Sequence, residues 1–220
     1  MSDLVPSVPQ PSVPPAAPAG SDSLLHALES ILDRLEFRRV FGAEGPVEVE
    51  LGAGDCTFLL EYAARHPERL FLGVERMLGR LRKLDRKGRR RGLTNVRGLR
   101  IEAGYCLEYL LPLASVSALH IYFPDPWPKR RHWRRRLINE RFPELAHRVL
   151  VRGGVVHLRT DHGDYFEQMR AVFAAHDGFE EVAPPADLLA LTTDFERDFN
   201  ARGIPTRSAS YAARERRPAT

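Results

Sequence analysis

The sequence predicts an α/β protein with a doubly wound, mostly parallel sheet in a single domain. Three observations predict it. Short β-rich runs, VEVEL (47–51), LFLGV (70–74), NVRGLRI (95–101), SALHIYF (117–123), VVHLRT (155–160) and FEEVA (179–183), alternate with amphipathic stretches at about 55–66, 76–91, 104–111, 143–150 and 163–176. Strand, helix, strand at this spacing implies parallel pairing through right-handed crossovers. The chain has 220 residues and is 43% hydrophobic, enough for one sizeable core, and no composition shift divides residues 21 to 220. A glycine turn, Gly52-Ala53-Gly54, leaves the end of the first run, and ligands of such sheets sit beyond the carboxyl ends of the strands.

Taken in order, residues 1–20 carry six prolines amid Ser, Ala and Val, a composition expected to form a disordered, Pro-rich tail. Ser23 is placed to cap an N-terminal helix, because Leu24, Leu28, Ile31, Leu32 and Leu35 recur at helical spacing; this helix should end before Gly42. The stretch 76–91 puts Met77, Leu78, Leu81 and Leu84 on one face and most of its Arg and Lys on the other. After Asp187 the pattern weakens, and the last thirty-odd residues hold no convincing apolar strand. No apolar run approaches the roughly 18 residues of a membrane span, and no basic region followed by an apolar one opens the chain, so a cytoplasmic protein is expected. Cys56 and Cys106 are isolated in sequence and the eight histidines make no ligand spacing with them, which predicts neither a structural disulfide nor a bound metal.

The motifs gather at strand ends. Glycines at 52 and 54 permit a tight turn and close approach of backbone to ligand. The third glycine that a dinucleotide site would want is replaced by Thr57. Glu75 ends the second run about twenty residues later, where a carboxylate can accept both hydroxyls of a ribose, a need shared by NAD and S-adenosylmethionine. Glu50 lies where a pyrophosphate would sit, and its charge favours an ammonium or sulfonium instead. Glu102 ends the third run, on the adenine side.

The fourth run leads into FPDPWPKRRHWRRR, Phe123 to Arg136. Phe123, Asp125 and Trp127 each precede a proline and are expected to be extended, which fixes the Asp125 carboxylate at the mouth of the site with Trp127 beside it. Six of the eight residues Lys129 to Arg136 are Lys or Arg, in a chain whose net charge is only +4. A second basic cluster runs from Arg80 to Arg91, for which a solvated helix face is the alternative reading. Together they point to a polyanionic partner.

VEVELGAGD, FLGVE, YFPDPWPKRRHWRRR, HLRTD and TDFERDFNARGIP resemble the bacterial tRNA (guanine-N7-)-methyltransferases, from about Val40 to Arg207. The resemblance implies the Rossmann-like class I methyltransferase fold, S-adenosyl-L-methionine as cofactor and tRNA as partner, with methylation of a guanosine at position 46 of the variable loop. Matched by position, it implies cofactor contacts at Glu50, Glu75, Glu102 and Asp125, to which the turn adds Gly52 and Gly54, with Asp125 also catalytic. It implies tRNA contacts at Lys129, Asp161, Thr193, Asp194, Phe195 and Glu196. Asp161 also reads as a helix cap, and Thr193 with Glu196 as a capping box. Guanine N7 has a lone pair and no proton to lose, so Asp125 is expected to position the base and stabilise its developing charge; Trp127 is a candidate base contact. A class I methyltransferase acting on another RNA or a small molecule is the alternative. The oligomeric state is open, with a monomer favoured.

Overall fold

The computed structural model describes residues 23–215. The expected tail, residues 1–20, lies outside the described residues. Eight strands form one sheet: β1 (Leu25–His26), β2 (Val47–Leu51), β3 (Leu70–Val74), β4 (Val96–Leu99), β5 (Val116–Tyr122), β6 (Leu150–Thr160), β7 (Phe179–Val182) and β8 (Arg207–Ala213). Their spatial order is β1-β4-β3-β2-β5-β6-β8-β7. Pairings are parallel except those of β8, which runs antiparallel to both β6 and β7. The helices are α1 (Phe37–Phe41), α2 (Thr57–Arg65), α3 (Leu78–Arg90), α4 (Ala103–Tyr105, continued as a π turn over Cys106–Leu110), α5 (Phe142–Val149), α6 (Gly163–Ala174), α7 (Ala186–Leu189) and α8 (Asp194–Ala201). The doubly wound expectation holds. Strand order reverses between β3 and β5 on either side of β2, and the crevice at that reversal is where such sheets bind ligands.

Two expectations are corrected. The N-terminal helix at Ser23–Leu35 does not form: Leu24 and Leu25 join the β4 edge, with Leu24 O accepting from Gly98 N at 2.9 Å. Ser23 does not cap a helix but donates to Asp85 Oδ1 at 3.2 Å. Leu24 is buried with Leu60 and Leu84, Leu28 packs against the opposite core, and Ile31 and Leu32 are exposed. Leu24 on one side and Leu28 and Leu35 on the other thus serve two separate surfaces, which one helix could not reach. The second correction is β8, which forms within the stretch expected to lack a strand.

Alternation decides what each face of the sheet carries. Val47, Val49 and Leu51 of β2, Leu119 and Ile121 of β5, and Val156 and Leu158 of β6 belong to the larger core, under α1, α4, α5 and α6. The intervening residues, Glu48, Glu50, His120, Tyr122, His157 and Arg159, are buried too. They make a polar stripe facing Phe58 and Tyr62 of α2. Buried polar groups are costly unless bonded, and most of these are: Glu48 Oε2 meets His120 Nε2 at 2.7 Å, His120 Nδ1 meets the Tyr122 hydroxyl at 2.8 Å, Arg69 donates to Glu48 Oε1 at 2.9 Å, and His157 Nδ1 meets Ser210 Oγ at 2.8 Å.

The stripe makes stability depend on pH. Burial pushes the Glu48 carboxyl up, but hydrogen bonds and charge from His120 and Arg69 outweigh it and hold it down at about 2. Burial, reinforced by the neighbouring His120, holds His157 down at about 3. Both groups take up protons more readily in the unfolded chain, so stability is lost as pH falls, from about 6.5 to 3 through His157 and from about 4.5 to 2 through Glu48. Denaturant titrations should therefore show the unfolding free energy falling by up to roughly 1.4 kcal/mol per pH unit between pH 6.5 and 4.5. His157→Gln should flatten that interval. Equal slopes in the two proteins would remove His157 from the account.

Candidate active site

The crevice is built around the turn after β2. Gly52 has φ 82°, Gly54 φ 55° and Cys56 φ 57°, and at Gly52 a side chain would be strained by the backbone alone. The amides of Gly52 and Ala53 both donate to Val74 O at 2.9 Å, which ties the turn to the end of β3. One residue on, Glu75 Oε2 accepts from Gly54 N at 3.1 Å and Oε1 from Met77 N at 2.8 Å. A carboxylate has about four acceptor sites, so Glu75 is fixed by backbone and keeps capacity for a ligand. Helix α2 starts at Thr57 with no side-chain cap, leaving the amides of its first turn without a side-chain acceptor.

Glu50 is buried, and its Oε2 has no hydrogen-bond partner among the described residues. Burial raises its carboxyl well above the usual carboxylate range; Arg159 pulls it back and Glu75 pushes it further up. With Gly52, Gly54, Thr57, Arg80, Tyr122 and Phe123 it lines a cavity of about 220 Å³. The opposite wall is the start of α8: Thr193, Asp194, Phe195 and Asp198. That wall is latched by Arg159, a residue that motif reading missed. It donates to Leu188 O and Leu191 O at 2.6 Å each and to Glu196 Oε2 at 2.9 Å. The signal for it was the polar alternation of HLRTD, in step with VEVE and HIY. Thr193 and Glu196 form the capping box of α8, with Thr193 Oγ1 accepting from Glu196 N at 3.0 Å and Glu196 Oε2 from Thr193 N at 3.3 Å, so their side chains are committed to holding the helix.

The proline-rich loop departs from expectation. Phe123 and Trp127 precede prolines yet take φ 50° and 43°, left-handed where extended backbone was expected. The Phe123 amide donates to Arg159 O at 2.8 Å and its ring packs on Phe199 and Phe195 at 5.5 and 6.1 Å; Trp127 lies against Arg135 and His132. Such conformations cost about 1–3 kcal/mol each and persist where surroundings over-determine them. Asp125, between the two bends, is exposed and two residues beyond the lining of the cavity.

Of the basic residues that follow, Lys129, Arg130, Arg131, Arg134 and Arg135 are exposed on a 3₁₀ turn over Arg130–Arg135. Arg136 is not part of that surface. It is 2% exposed, clamped between the Trp133 and Tyr165 rings at 4.6 Å from each, and donates to Pro126 O at 2.8 Å and Gln168 Oε1 at 2.6 Å. It is a strut for the Asp125 loop. Several residues of the α3 cluster are engaged in stitching α3 to α2, to the turn before it and to the end of β3. Lys83 pairs with Asp55 at 2.9 Å, Arg91 with Glu61 at 3.0 Å, Arg80 with Glu75 at 3.5 Å, and Lys87 donates to Thr57 Oγ1 at 3.3 Å.

Two further candidates lie elsewhere. Glu102 is an exposed N-cap of α4, with Gly104 N and Tyr105 N donating to its oxygens at 2.9 and 2.7 Å, and it does not line the cavity of Glu50. Asp161 is half-buried and does not cap α6; His162 does, through Nδ1. Glu50, Gly52, Gly54, Thr193, Asp194 and Phe195 thus line one cavity, Glu75 adjoins it through the Gly54 amide, and Glu102, Lys129 and Asp161 are not on its walls. Among the described residues no group of His, Cys, Asp and Glu is placed to hold a metal ion, and no helix is long and apolar enough to cross a membrane.

A mostly parallel sheet with an antiparallel strand inserted beside its last parallel one, a glycine turn at the switch point and an acid ending the neighbouring strand defines a methyltransferase of the class I, Rossmann-like type. Residues 44–207 match the family described as "Putative methyltransferase". The chain is 34% identical over 162 residues to the tRNA (guanine-N(7)-)-methyltransferase of Aliivibrio fischeri, covering 74% of this chain and 68% of that protein. It is 38% identical over 152 residues to the protein of the same name from Chromohalobacter salexigens, covering 69% of this chain and 62% of that one. The chain therefore spans about two thirds of these relatives' lengths. The solved structure of the 16S rRNA methyltransferase KamB shares the fold, with TM-score 0.58, 18% identity and coverage of 81% and 93%. The chain belongs to the tRNA (guanine-N(7)-)-methyltransferase family.

Proposed function

We propose that this protein transfers a methyl group from S-adenosyl-L-methionine to N7 of guanosine 46 in the variable loop of tRNA, in the cytoplasm. The observation that carries the reading is the joining, within one family fold, of a cavity suited to an amino-acid zwitterion and a nucleoside with a basic turn that adjoins the Asp125 loop.

The residues present fit the cofactor. The orphaned Oε2 of Glu50 suits an ammonium group, and the uncapped start of α2 suits a carboxylate. Glu75, held by two backbone amides, has acceptor capacity for a ribose diol. When bound, the cofactor supplies an electrophilic methyl group on a sulfonium. Guanine N7 presents an in-plane lone pair and loses no proton, so the chain's contribution is alignment and charge stabilisation. Asp125 supplies the negative charge nearest the two bends, and Arg136 holds the Pro126 carbonyl next to it. Lys129, Arg130, Arg131, Arg134 and Arg135 supply phosphate contacts, and extrusion of the target base is supported by aromatic contact at Trp127.

Incubation with labelled S-adenosyl-L-methionine and bulk tRNA, followed by nucleoside analysis, should yield 7-methylguanosine. A different methylated nucleoside, or label only on other RNA or small molecules, would replace this reading with the broader methyltransferase one. The basic turn provides a further expected result. Changing Arg130, Arg131, Arg134 and Arg135 to Gln should reduce the salt dependence of tRNA binding by roughly 0.7–0.9 in log–log slope for every phosphate left unneutralised, with cofactor affinity unchanged. An unaltered slope would make the turn a solvated face.

A further inference from the structure

A second cavity, of about 350 Å³, lies between α4 with its π turn, the end of the basic turn and the start of α5; Glu102, Tyr105, Tyr109, Arg134, Arg135 and Arg141 are on its walls. Its acids are already engaged. Glu102 accepts from two backbone amides, and Glu108 Oε1 accepts from Arg141 at 2.6 Å. Arg134 and Arg135 are exposed and form no ion pair among the described residues, so the cavity presents positive charge.

Its aromatic wall is fixed in place. The Tyr105 hydroxyl donates to Ile31 O at 2.8 Å, and the Tyr109 ring lies 4.8 Å from the Tyr105 ring at 41°, with Tyr109 itself 49% exposed. The π turn over Cys106–Leu110 carries Tyr109, and such wide turns within helices recur at functional sites. Arg136 lines the same cavity; its Nη2 is buried without a partner, while its Nε holds Pro126 O. One side chain therefore joins the cavity to the loop that carries Asp125.

An exposed aromatic ring beside two guanidinium groups without ion pairs suits a nucleotide, with its flat face on the ring and its phosphate on the cations. We propose that this second cavity receives the RNA nucleotide adjoining the target guanosine, with its base stacked on Tyr109 and its phosphate held by Arg134 and Arg135. This rests on the tRNA-methylation reading. Flipping a guanosine takes the stacking partner from one face of its neighbour, and the cavity supplies another, joined through Arg136 to the loop that carries Asp125.

The test is a double-mutant cycle between protein and RNA. The probes are tRNA transcripts carrying an abasic residue immediately 5′ or 3′ of the target guanosine, assayed with wild type, Tyr109→Ala and Tyr109→Phe. Tyr109→Ala should raise the KM for the intact transcript about tenfold, within the range expected for one stacked base, and leave cofactor affinity unchanged. Tyr109→Phe should stay near wild type. One of the two abasic transcripts should cost wild type about tenfold and cost Tyr109→Ala nothing further. Additive penalties in the cycle, or an unchanged KM in Tyr109→Ala while methylation persists, overturn the proposal. Loss of cofactor affinity in Tyr109→Ala overturns it in favour of a cofactor subsite. If wild type methylates no tRNA, the underlying reading fails and this one falls with it.

Discussion

Asp125→Ala is expected to lower kcat by about 100- to 1,000-fold, the range seen when one charge-stabilising group is removed from a preorganised site, while tRNA affinity, carried by the exposed arginines, changes little. The expectation follows from the chemistry of N7, which needs alignment and stabilisation of positive charge but no base. Asp125→Asn keeps the shape and one acceptor, so it should lie between alanine and wild type. Because no deprotonation is needed, the single-turnover rate should be nearly flat from pH 7 to 9. A rate that climbs across that range in wild type and not in Asp125→Asn would make Asp125 a general base. Since Asp125 is exposed, both variants should melt with wild type, which keeps the kinetic comparison clean.

Arg159→Met is expected to destabilise the fold by about 3–5 kcal/mol, because it removes a buried cation from the half-buried Glu196 carboxylate and from two carbonyls, one of which, Leu191 O, has the guanidinium as its donor. The losses are the bonds to Leu188 O, Leu191 O and Glu196 Oε2 and the packing of the guanidinium on Tyr122 at 4.8 Å. For a chain of this size that corresponds to a fall in Tm of roughly 6–20 °C. Cofactor affinity should fall as well, since the latch holds the wall formed by Thr193, Asp194 and Phe195 and provides the positive charge that offsets Glu50. A melting curve within a degree or two of wild type would mean that α7 and α8 are held by other contacts.

The parts of the fold legible in the sequence are those where one physical signal dominated. Strands β2, β3, β5 and β6 are apolar enough, and regularly enough spaced, to read directly, and the turn at Gly52 and Gly54 follows from the backbone it requires. The misreadings have identifiable causes. RSASYAA has too few bulky residues to announce a strand, yet β8 is built from them because Arg207–Ala212 pair with β6, Ser210–Ala213 pair with β7, and Tyr211 stacks on Phe173 at 4.2 Å. The leucines of residues 24–35 have helical spacing, but two opposite cores compete for them. At Phe123 and Trp127 local preference pointed to extended backbone, and packing against Phe199, Arg135 and His132 overrode it. Arg136 looked like its five basic neighbours, and only its burial between two rings separates it from them. Glu50 and Glu75, expected from their places at strand ends, and Asp194, implied by the family resemblance, do lie at the crevice. Arg159 was not, because a buried arginine in a strand is conspicuous only once the facing strands are known to be polar on the same side.

The insertion of β8 between β6 and β7 also sets a schedule for biosynthesis. Val155 pairs with Ala212 and Phe179 with Ala213, so the strand made after all the others takes a place inside the sheet. Until residues 207–213 have left the ribosomal tunnel, β6 keeps a bare edge with hydrogen-bonding groups unsatisfied, and β7 has no neighbour at all. The nascent chain can assemble β2 through β6 and their crossover helices, but it must then carry a sticky, open-sided sheet while the residues from Asp161 to Ala213 are synthesised at roughly 5–20 per second. Chaperone capture, or pairing of that edge with another nascent chain, competes with correct closure only during those few seconds.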